Sequence, residues 1–331
     1  MLRSRITGTG MYVPDKVVTN FDLEKLMDTT DAWIRERAGI VERRFVASEV
    51  GTSGLAYEAA KMALSNAKLQ ASDIDFIIFA TLSSDYFAPG SGVLLQEKLG
   101  IPGTPALDIR NQCTGFIYGL SVADQFIKTG MYKRIMLVGS EIHSTGLDLS
   151  SRGRDVGVLF GDGAGVIIVE RSDDPDRGVL SSHLHADGRF AKELFVENPG
   201  SLHIPRLTKE MIDDGSVYPF MNGRQVFKNA VVRFCEAITE CLTANNVSPD
   251  QVKLVIPHQA NLRITEAVAQ RFGYSMDRVF SNIHKYGNTT AASIPIAMHE
   301  ALMEGKINTG DYVVLVAFGS GFTWGSILLR W

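Results

Sequence analysis

Residues 135–139 are Ile-Met-Leu-Val-Gly, and residues 313–317 are Val-Val-Leu-Val-Ala. Short, continuously apolar runs of this kind are typical of strands that are covered on both faces of a sheet. Between such runs the chain carries segments whose apolar residues recur at helical spacing, for example residues 54–67 and 116–128. Strands that alternate with amphipathic helices predict an α/β fold.

The two apolar runs belong to longer stretches that carry the same series of elements. A helix-like segment, a turn that ends in Asp and a strand occupy residues 54–80, and the same series occupies residues 230–257. Asp73 and Asp250 lie 177 positions apart (250 − 73), and this offset takes Cys113 to Thr290. The apolar runs lie 178 positions apart (313 − 135). Matches near one offset indicate an internal repeat.

We therefore predict two pseudo-repeated halves, residues 1–173 and residues 174–331, packed into a layered structure with the site where they meet. Residues 190–218 are mixed polar with Pro and Gly and show no clear period. We expect them to form a long irregular excursion that leads into the second half.

Composition excludes several classes of protein. The chain has 331 residues, 45% of them hydrophobic and 21% charged, as in ordinary globular proteins. The net charge of −4 argues against a general nucleic-acid binder. No apolar run approaches the roughly 18 residues that span a membrane, and the first residues lack a secretory signal. Three cysteines form neither a disulfide framework nor a metal-ligand cluster. We expect a cytoplasmic, reduced protein without a metal.

Cys113 is the candidate nucleophile. It follows a short apolar strand that ends near Asp108, and it precedes the helix-like segment at residues 116–128. A thiol at a helix N-terminus faces unpaired N–H groups and the positive end of the helix dipole. We expect this environment to lower the pKa of the thiol and to favour the reactive thiolate. The alternative is a buried structural cysteine.

Three other segments carry suitable groups for thioester chemistry. His258 directly follows an apolar strand, Asn288 lies in a turn of small residues, and a Gly-Ser-Gly turn follows the last long strand at residues 319–321. A nucleophile, an imidazole, an amide and a turn of backbone donors are the groups that acyl transfer needs. A structural histidine, a plain turn and a tight bend are the alternatives.

Taken in order, these segments make the chain resemble the β-ketoacyl-acyl-carrier-protein synthase III family of condensing enzymes. The motifs that carry the resemblance lie at residues 8–14, 33–40, 113–116, 160–165, 185–188, 257–261, 287–293 and 322–325. The resemblance implies a thiolase-like fold, with the two halves in an αβαβα arrangement. It implies a decarboxylative Claisen condensation that joins an acyl-CoA primer to malonyl-acyl-carrier protein and initiates fatty-acid synthesis.

The resemblance also implies roles for single residues. Cys113, His258 and Asn288 would form the catalytic triad: Cys113 holds the acyl group, and the other two hydrogen-bond the malonyl thioester oxygen. The backbone N–H groups of Cys113 and Ser320 would form the oxyanion hole. No cofactor is implied, since CoA thioesters are the substrates.

The implied binding residues surround the triad. Trp33 and Arg152 would flank the CoA adenine, and Arg37 would meet the CoA phosphates. The pantetheine tunnel would be lined by Gly223, Phe227 and Asn261. The docking rim for the acidic carrier protein would consist of Arg224, Lys228 and Arg263. The resemblance implies a homodimer, and Arg43, Arg44 and Lys133 are expected to be plain surface charges.

Two other functions remain open. One is a thiolase-fold acyltransferase, or a non-decarboxylating condensing enzyme, of secondary or hydrocarbon metabolism. Such enzymes usually bring a general base near the cysteine, commonly a Glu, and no Glu lies between Leu99 and Met136. The other is a partner subunit without a nucleophile, which the intact triad disfavours. The sequence departs from the usual family pattern at residues 110–112 and has Ser320 where a Gly is usual. The length and branching of the acyl substrate therefore stay open.

Overall fold

The strands of the computed structural model, which describes residues 2–331, form two main sheets. The five-stranded sheet has the order β1 (Arg3–Tyr12), β7 (Gly163–Ser172), β6 (Arg134–Glu141), β4 (Phe76–Ala80) and β5 (Ala106–Ile109). The four-stranded sheet has the order β11 (Val252–Pro257), β12 (Tyr312–Gly319), β13 (Thr323–Arg330) and β8 (Gly178–Ala186). Two short pairs lie outside them, β2 (Val17–Thr19) with β3 (Glu42–Arg44) and β9 (Leu194–Phe195) with β10 (Phe220–Met221). Both main sheets mix parallel and antiparallel pairs.

The helices form three layers around these sheets. They are α1 (Asn20–Glu24), α2 (Asp31–Ala38), α3 (Thr52–Ala67), α4 (Ser91–Lys98), α5 (Gly115–Lys128), α6 (Arg154–Gly157), α7 (Lys209–Asp213), α8 (Gly223–Ala244), α9 (Leu262–Phe272), α10 (Ile283–Tyr286) and α11 (Ser293–Met303). Helices α5 and α11 pack between the sheets, α3 and α4 cover the outer face of the larger sheet, and α8 with α9 covers the smaller one. This αβαβα layering confirms the predicted thiolase-like fold class.

The apolar runs lie where side chains must be buried on both sides. In β6, Ile135 and Leu137 belong to the central core with α5 and α11, whereas Met136 and Val138 face the outer core with α3. Side chains alternate between the two faces of a strand, so a continuously apolar run fills both layers. Strand β12 divides its residues between the central core and the α8 layer in the same way.

The two sheets repeat one arrangement. Strands β1, β7, β6 and β4 correspond in order to β8, β13, β12 and β11. The last residue along the chain that belongs to the larger sheet is Ser172. A 3-10 turn precedes each central helix, Gln112–Thr114 before α5 and Thr290–Ala292 before α11. Gln112 and Thr290 both have left-handed φ angles, 44° and 49°. The turns therefore pair Gln112, rather than Cys113, with Thr290. The division at residue 173 stays a prediction.

Arg43 is not a surface charge, so that expectation is wrong. Its side chain is fully buried, where the guanidinium donates to Asn20 Oδ1 at 2.8 Å and to the Val158 carbonyl at 2.8 Å. Burial lowers the pKa of Arg43 to about 10. Arg44 is half-buried and pairs with Glu42 at 2.9 Å. A buried, hydrogen-bonded arginine thus connects β3 to the start of α1 and to the end of α6.

Candidate active site

A cavity of about 470 Å³ collects most of the predicted site residues from both parts of the chain. Cys113, His258 and Asn288 all line it. The other predicted residues in its lining are Trp33, Arg37, Gly223, Arg224, Phe227, Asn261 and Arg263. Arg152, Lys228 and Ser320 are not in this lining. The fold thus brings residues 145 positions apart in sequence (258 − 113) into one pocket.

The Cys113 turn is anchored to the smaller sheet. The hydroxyl of Thr114 lies 2.9 Å from the Asn111 carbonyl and 2.7 Å from Thr323 Oγ1 at the start of β13. The hairpin between β12 and β13 passes so close that a Cβ on Gly319 would lie 2.7 Å from Cys113 Cβ. Only glycine allows this approach. Cys113 is 7% exposed.

The electrostatics of Cys113 differ from the prediction. Burial raises the pKa of the thiol to about 12, and the nearby Glu141 acts in the same direction. The nearby backbone N–H groups of Cys113 and Ser320 lower the pKa of the thiol, but burial outweighs them. The expectation of a lowered thiol pKa is wrong for this structure, because desolvation disfavours the thiolate more than these donors stabilise it.

His258 is held at one nitrogen and has no partner at the other. Its Nδ1 lies 2.6 Å from Ser293 Oγ, and the Ser293 hydroxyl donates to the Thr290 carbonyl at 2.9 Å. Since a serine hydroxyl has one hydrogen, Ser293 accepts from Nδ1–H in this arrangement. His258 Nε2 is buried and has no hydrogen-bond partner within residues 2–331. Burial lowers the pKa of His258 to about 3, so the imidazole is neutral.

Asn288 is oriented by the turn that follows it. Its Oδ1 accepts the backbone N–H of Thr290 at 2.9 Å, which leaves the Nδ2 hydrogens as donors for the cavity. The backbone of Asn288 pairs with that of the neighbouring loop: Asn288 N–H donates to the Leu159 carbonyl at 2.8 Å, and Gly161 N–H donates to the Asn288 carbonyl at 3.1 Å. The amide is therefore fixed at both backbone and side chain.

Ser320 supplies a backbone donor without needing to be a glycine. Its N–H is close enough to the Cys113 sulfur to lower the pKa of the thiol, and its φ does not lie in the left-handed region. The Ser320 hydroxyl points elsewhere and donates to the Leu194 carbonyl. The side chain at residue 320 is thus compatible with an oxyanion role for the N–H group.

Comparison with known proteins identifies the family. The sequence matches 3-oxoacyl-[acyl-carrier-protein (ACP)] synthase III over residues 107–188 and the C-terminal part of that family over residues 242–331. It is 45% identical to the β-ketoacyl-[acyl-carrier-protein] synthase III of Alkalilimnicola ehrlichii, over 100% of both chains, and 46% identical to that of Geobacillus kaustophilus, over 98% of both. The chain belongs to the β-ketoacyl-[acyl-carrier-protein] synthase III family. It is an acyltransferase of the condensing-enzyme class.

A crystal structure from the same family has the same fold. The 3-oxoacyl-[acyl-carrier-protein] synthase III of Aquifex aeolicus superposes with a TM-score of 0.91 at 44% identity, covering 99% of this chain and 100% of that one. The likeness extends over both sheets and all helical layers. The family resemblance inferred from the motifs is thereby confirmed.

Of the two residues predicted to flank the CoA adenine, Trp33 and Arg152, the structure does not place the second over the first. Arg152 lies 2.6 Å from Asp148 and over the ring of Tyr218, and it does not lie beside Trp33. The guanidinium of Arg154 lies 4.8 Å from the centre of the Trp33 ring instead, and that of Arg37 lies 5.6 Å from it. The sequence Arg-Gly-Arg at residues 152–154 offers two candidates, and only the three-dimensional structure distinguishes them.

The predicted rim residues lie together on two helices. Arg224 and Lys228 are four residues apart on α8 and therefore share a face, and both are exposed. Arg263 at the start of α9 is exposed and lies over the Phe227 ring at 5.7 Å. Asn261 caps α9 and donates to the Arg37 carbonyl at 2.9 Å. Its amide thus joins α9 to α2, a structural role that the sequence did not indicate.

The search of the sequence for a Glu near Cys113 missed Glu141 at the end of β6. Glu141 is fully buried and accepts hydrogen bonds from the hydroxyls of Thr81 at 3.1 Å and Ser83 at 2.5 Å, and from the backbone N–H of Leu82 at 3.2 Å. Burial raises the pKa of Glu141 to about 7. It is not in the cavity lining, and its oxygens are occupied by donors. A charge inside an apolar strand sequence was the available signal.

Two kinds of feature are absent from the described residues. Within residues 2–331, no helix is both long and apolar enough to cross a membrane. The same residues contain no group of three or more His, Cys, Asp or Glu side chains arranged to hold a metal ion.

Proposed function

We propose that this chain condenses an acyl-CoA primer with malonyl-acyl-carrier protein, with loss of CO₂, through an acyl thioester on Cys113. In this role it initiates fatty-acid synthesis, as the relatives' shared name implies. The observation that carries the proposal is the meeting of Cys113, His258 and Asn288 in one cavity. The CoA thioesters are substrates, and the proposed chemistry uses no cofactor.

In the first half-reaction, the proton of the Cys113 thiol moves to His258 Nε2 as the sulfur attacks the acyl carbonyl. The pKa of the thiol is raised and that of the imidazole is lowered, so both start neutral and Nε2 has a lone pair. The N–H groups of Cys113 and Ser320 stabilise the oxyanion. The CoA thiolate then leaves with the proton from His258, and the acyl group stays on Cys113.

In the second half-reaction, Asn288 Nδ2–H and His258 Nε2–H hydrogen-bond the malonyl thioester oxygen. CO₂ leaves, and the developing enolate is stabilised by these donors. His258 can carry its hydrogen on Nε2 because the Ser293 hydroxyl, 2.6 Å from Nδ1, is able to donate as well as accept. The enolate carbon attacks the acyl carbonyl, Cys113 leaves as a thiolate, and one proton taken from water restores the thiol.

Charged side chains at the cavity support the binding of both substrates. Trp33 with Arg154 offers a stacking surface for the CoA adenine, and Arg37 lies beside it for the phosphates. The exposed cations of the docking rim suit an acidic carrier protein. We assign this rim to Arg224, Lys228 and Arg263.

The decisive experiment measures whether the free carboxyl carbon of the malonyl group is released as CO₂. Purified protein receives acyl-CoA and malonyl-acyl-carrier protein labelled with ¹⁴C in the free carboxyl group. We expect labelled CO₂ to be released in step with β-ketoacyl product, and Cys113→Ala to form no acyl adduct by intact mass spectrometry. Product made from two acyl-CoA molecules, without decarboxylation, would favour the non-decarboxylating alternative instead.

We also propose that the protein is a cytoplasmic homodimer. Strand β5 lies at the edge of the larger sheet, and an exposed edge is a template for pairing with a second strand. Leu107 on β5 is 38% exposed and Phe87 is 79% exposed, which suits burial against a second copy. The cytoplasmic location is supported by the three cysteines of the chain, which are free thiols, as in a reducing compartment. Light scattering that gives the mass of one chain would contradict the dimer.

A further inference from the structure

Thr290 lies at the centre of a buried network that connects the two catalytic hydrogen-bonding side chains. Its backbone N–H donates to Asn288 Oδ1 at 2.9 Å. Its carbonyl accepts the Ser293 hydroxyl at 2.9 Å, and that hydroxyl lies 2.6 Å from His258 Nδ1. The two backbone groups of one residue therefore orient both Asn288 and His258.

The backbone of Thr290 is in a conformation that threonine rarely adopts. Its φ is +49°, in the left-handed region, and β-branched residues are true outliers there. Such a conformation costs free energy and persists only where surrounding contacts impose it. A contact that holds the Thr290 side chain therefore helps to hold the backbone groups that orient the catalytic residues.

His143 makes that contact. Its Nε2 lies 2.6 Å from Thr290 Oγ1, and both residues are buried. The imidazole is itself immobilised, because its ring packs on Phe160 with the centroids 4.6 Å apart and its backbone N–H donates to Asp162 Oδ1 at 2.7 Å. Phe160 lines the cavity, so His143 stands directly behind the cavity wall.

The end of β6 supports the same turn at two other points. A Cβ on Gly139 would lie 2.2 Å from the Ala291 carbonyl, so the turn packs directly on the strand. The backbone N–H of Ala291 lies near the Glu141 carboxyl group and lowers its pKa. Gly139 and Glu141 are alternate residues of β6 and face the same side, and His143 follows two residues after the strand ends. The turn that follows Asn288 therefore packs directly on the end of the larger sheet.

We propose that His143 is a positioning residue: through Thr290 Oγ1 it holds the Thr290 backbone in the conformation that orients Asn288 for the enolate oxygen and, while the Ser293 hydroxyl donates to the Thr290 carbonyl, His258 for the Cys113 thiol proton. This inference rests on the proposed decarboxylative function and deepens it. Neither residue is assigned to contact substrate. The hydrogen bond between them acts on catalysis through the geometry of the triad.

The test removes the hydrogen bond from each side and measures the release of labelled CO₂ from malonyl-acyl-carrier protein at saturating acyl-CoA. Thr290→Val keeps the side-chain shape and removes the hydroxyl, and His143→Leu removes its partner. We expect each to slow CO₂ release by about 10- to 100-fold, since small misplacements of catalytic groups have effects of this size. The double variant should be no slower than the worse single variant, because both remove one contact. Thr290→Ser, which keeps the hydroxyl, should restore most of the rate.

A second buried His–Thr pair provides a matched control. Thr9 Oγ1 lies 2.9 Å from His299 Nδ1, and neither residue lines the cavity. Thr9→Val should lower the melting temperature while CO₂ release by the folded protein stays at the wild-type rate. His143→Leu keeps the proposal testable if Thr290→Val does not fold.

The outcomes separate the inference from the proposed function. Wild-type CO₂ release in both Thr290→Val and His143→Leu would overturn the inference, as would losses that multiply in the double variant. Thr9→Val slowing turnover as much as Thr290→Val would also overturn it, since any buried pair would then have the effect. A wild-type protein that releases no CO₂ would contradict the proposed function itself.

Discussion

At the scale of single residues, burial decides the protonation of the reacting groups. The pKa of Cys113 is raised to about 12 and that of His258 is lowered to about 3, so near neutral pH the site holds a thiol and an uncharged imidazole. Moving the proton from sulfur to Nε2 creates the nucleophile without changing the total charge of the pair. In the free protein, the reactive thiolate is therefore scarce until substrate or base draws the proton away.

This state predicts the pH dependence of Cys113 alkylation. The pKa of the thiol lies above its ordinary value, so the thiolate fraction keeps growing as the pH rises toward about 12. We expect the rate of labelling by iodoacetamide to rise about tenfold per pH unit between about pH 6 and pH 9, as for any thiol below its pKa. Peptide mass spectrometry locates the label, with Cys113→Ala as the control. A plateau below pH 8 would show that the helix end outweighs burial.

The two neighbouring arginines allow a paired test of the CoA site. Arg154 lies over Trp33, whereas Arg152 pairs with Asp148. We expect Arg154→Ala to raise the KM for acyl-CoA about two- to fivefold, the size of an exposed cation–π contact. Arg152→Ala should leave this KM nearly unchanged in the same steady-state assay. The reverse pattern would restore Arg152 as the adenine contact.

At the scale of elements, the site depends on the close approach of the β12–β13 hairpin to the turn before α5. Gly319 permits this approach, and the Thr114–Thr323 hydroxyl pair at 2.7 Å holds it. The approach brings the Ser320 N–H to the Cys113 sulfur. The proposed oxyanion donors thus come from two elements, and their spacing depends on how tightly those elements pack.

Gly319→Ala should disturb this packing. Its Cβ would lie 2.7 Å from Cys113 Cβ, a distance that requires the hairpin to shift. We expect the free energy of unfolding to fall by about 1–3 kcal/mol, the usual cost of overpacking, measured by urea denaturation. Acylation of Cys113 should slow by about 100-fold if the donors move by about 1 Å.

Gly146→Ala serves as the control for this substitution. A Cβ at Gly146 meets nothing within 4 Å, and we expect its unfolding free energy to stay within about 0.5 kcal/mol of wild type. Equal effects of the two substitutions would mean that the hairpin contact does not set the site geometry.

At the scale of the whole molecule, charge is unevenly distributed. The chain has a net charge of −4, yet the cavity mouth is bordered by basic side chains. Arg37, Arg224 and Arg263 line the cavity, together with one acidic residue, Asp155. Arg154 lies over Trp33 of that lining, and Lys228 lies one helical turn from Arg224 on α8. A local positive field on an acidic protein attracts an acidic partner to one face, and salt screens it.

The docking rim should therefore affect the two substrates differently. We expect Lys228→Glu and Arg263→Glu to lower kcat/KM for malonyl-acyl-carrier protein roughly tenfold at low salt, through slower association. Added salt should reduce the difference. Transfer from small acyl-CoA to Cys113 should change little. Lys133→Glu, an exposed charge on the turn before β6, is the control. Equal losses with both substrates would assign these residues to the CoA site or to the fold.

Local patterns determined the elements and the chemistry of this protein. The strand at residues 76–80 and the helix beginning near residue 116 follow from apolar periodicity, which acts between neighbours in sequence. The helix predicted from residue 230 begins earlier, at Gly223, because Asn222 caps it. The proposed nucleophile, imidazole and amide were recognisable because each follows a strand or precedes a helix in a motif of its own.

Only the tertiary structure decided what depends on groups distant in sequence. Burial made Arg43 a core residue and raised the thiol pKa of Cys113, because desolvation depends on what the rest of the chain packs around a group. Packing placed the guanidinium of Arg154, and not that of Arg152, over the Trp33 ring. The turn after Asn288 packs on the end of β6, and the hydrogen bond between His143 and Thr290 joins residues 147 positions apart. No periodicity encodes such a contact, since its energy arises only when the two sheets have packed together.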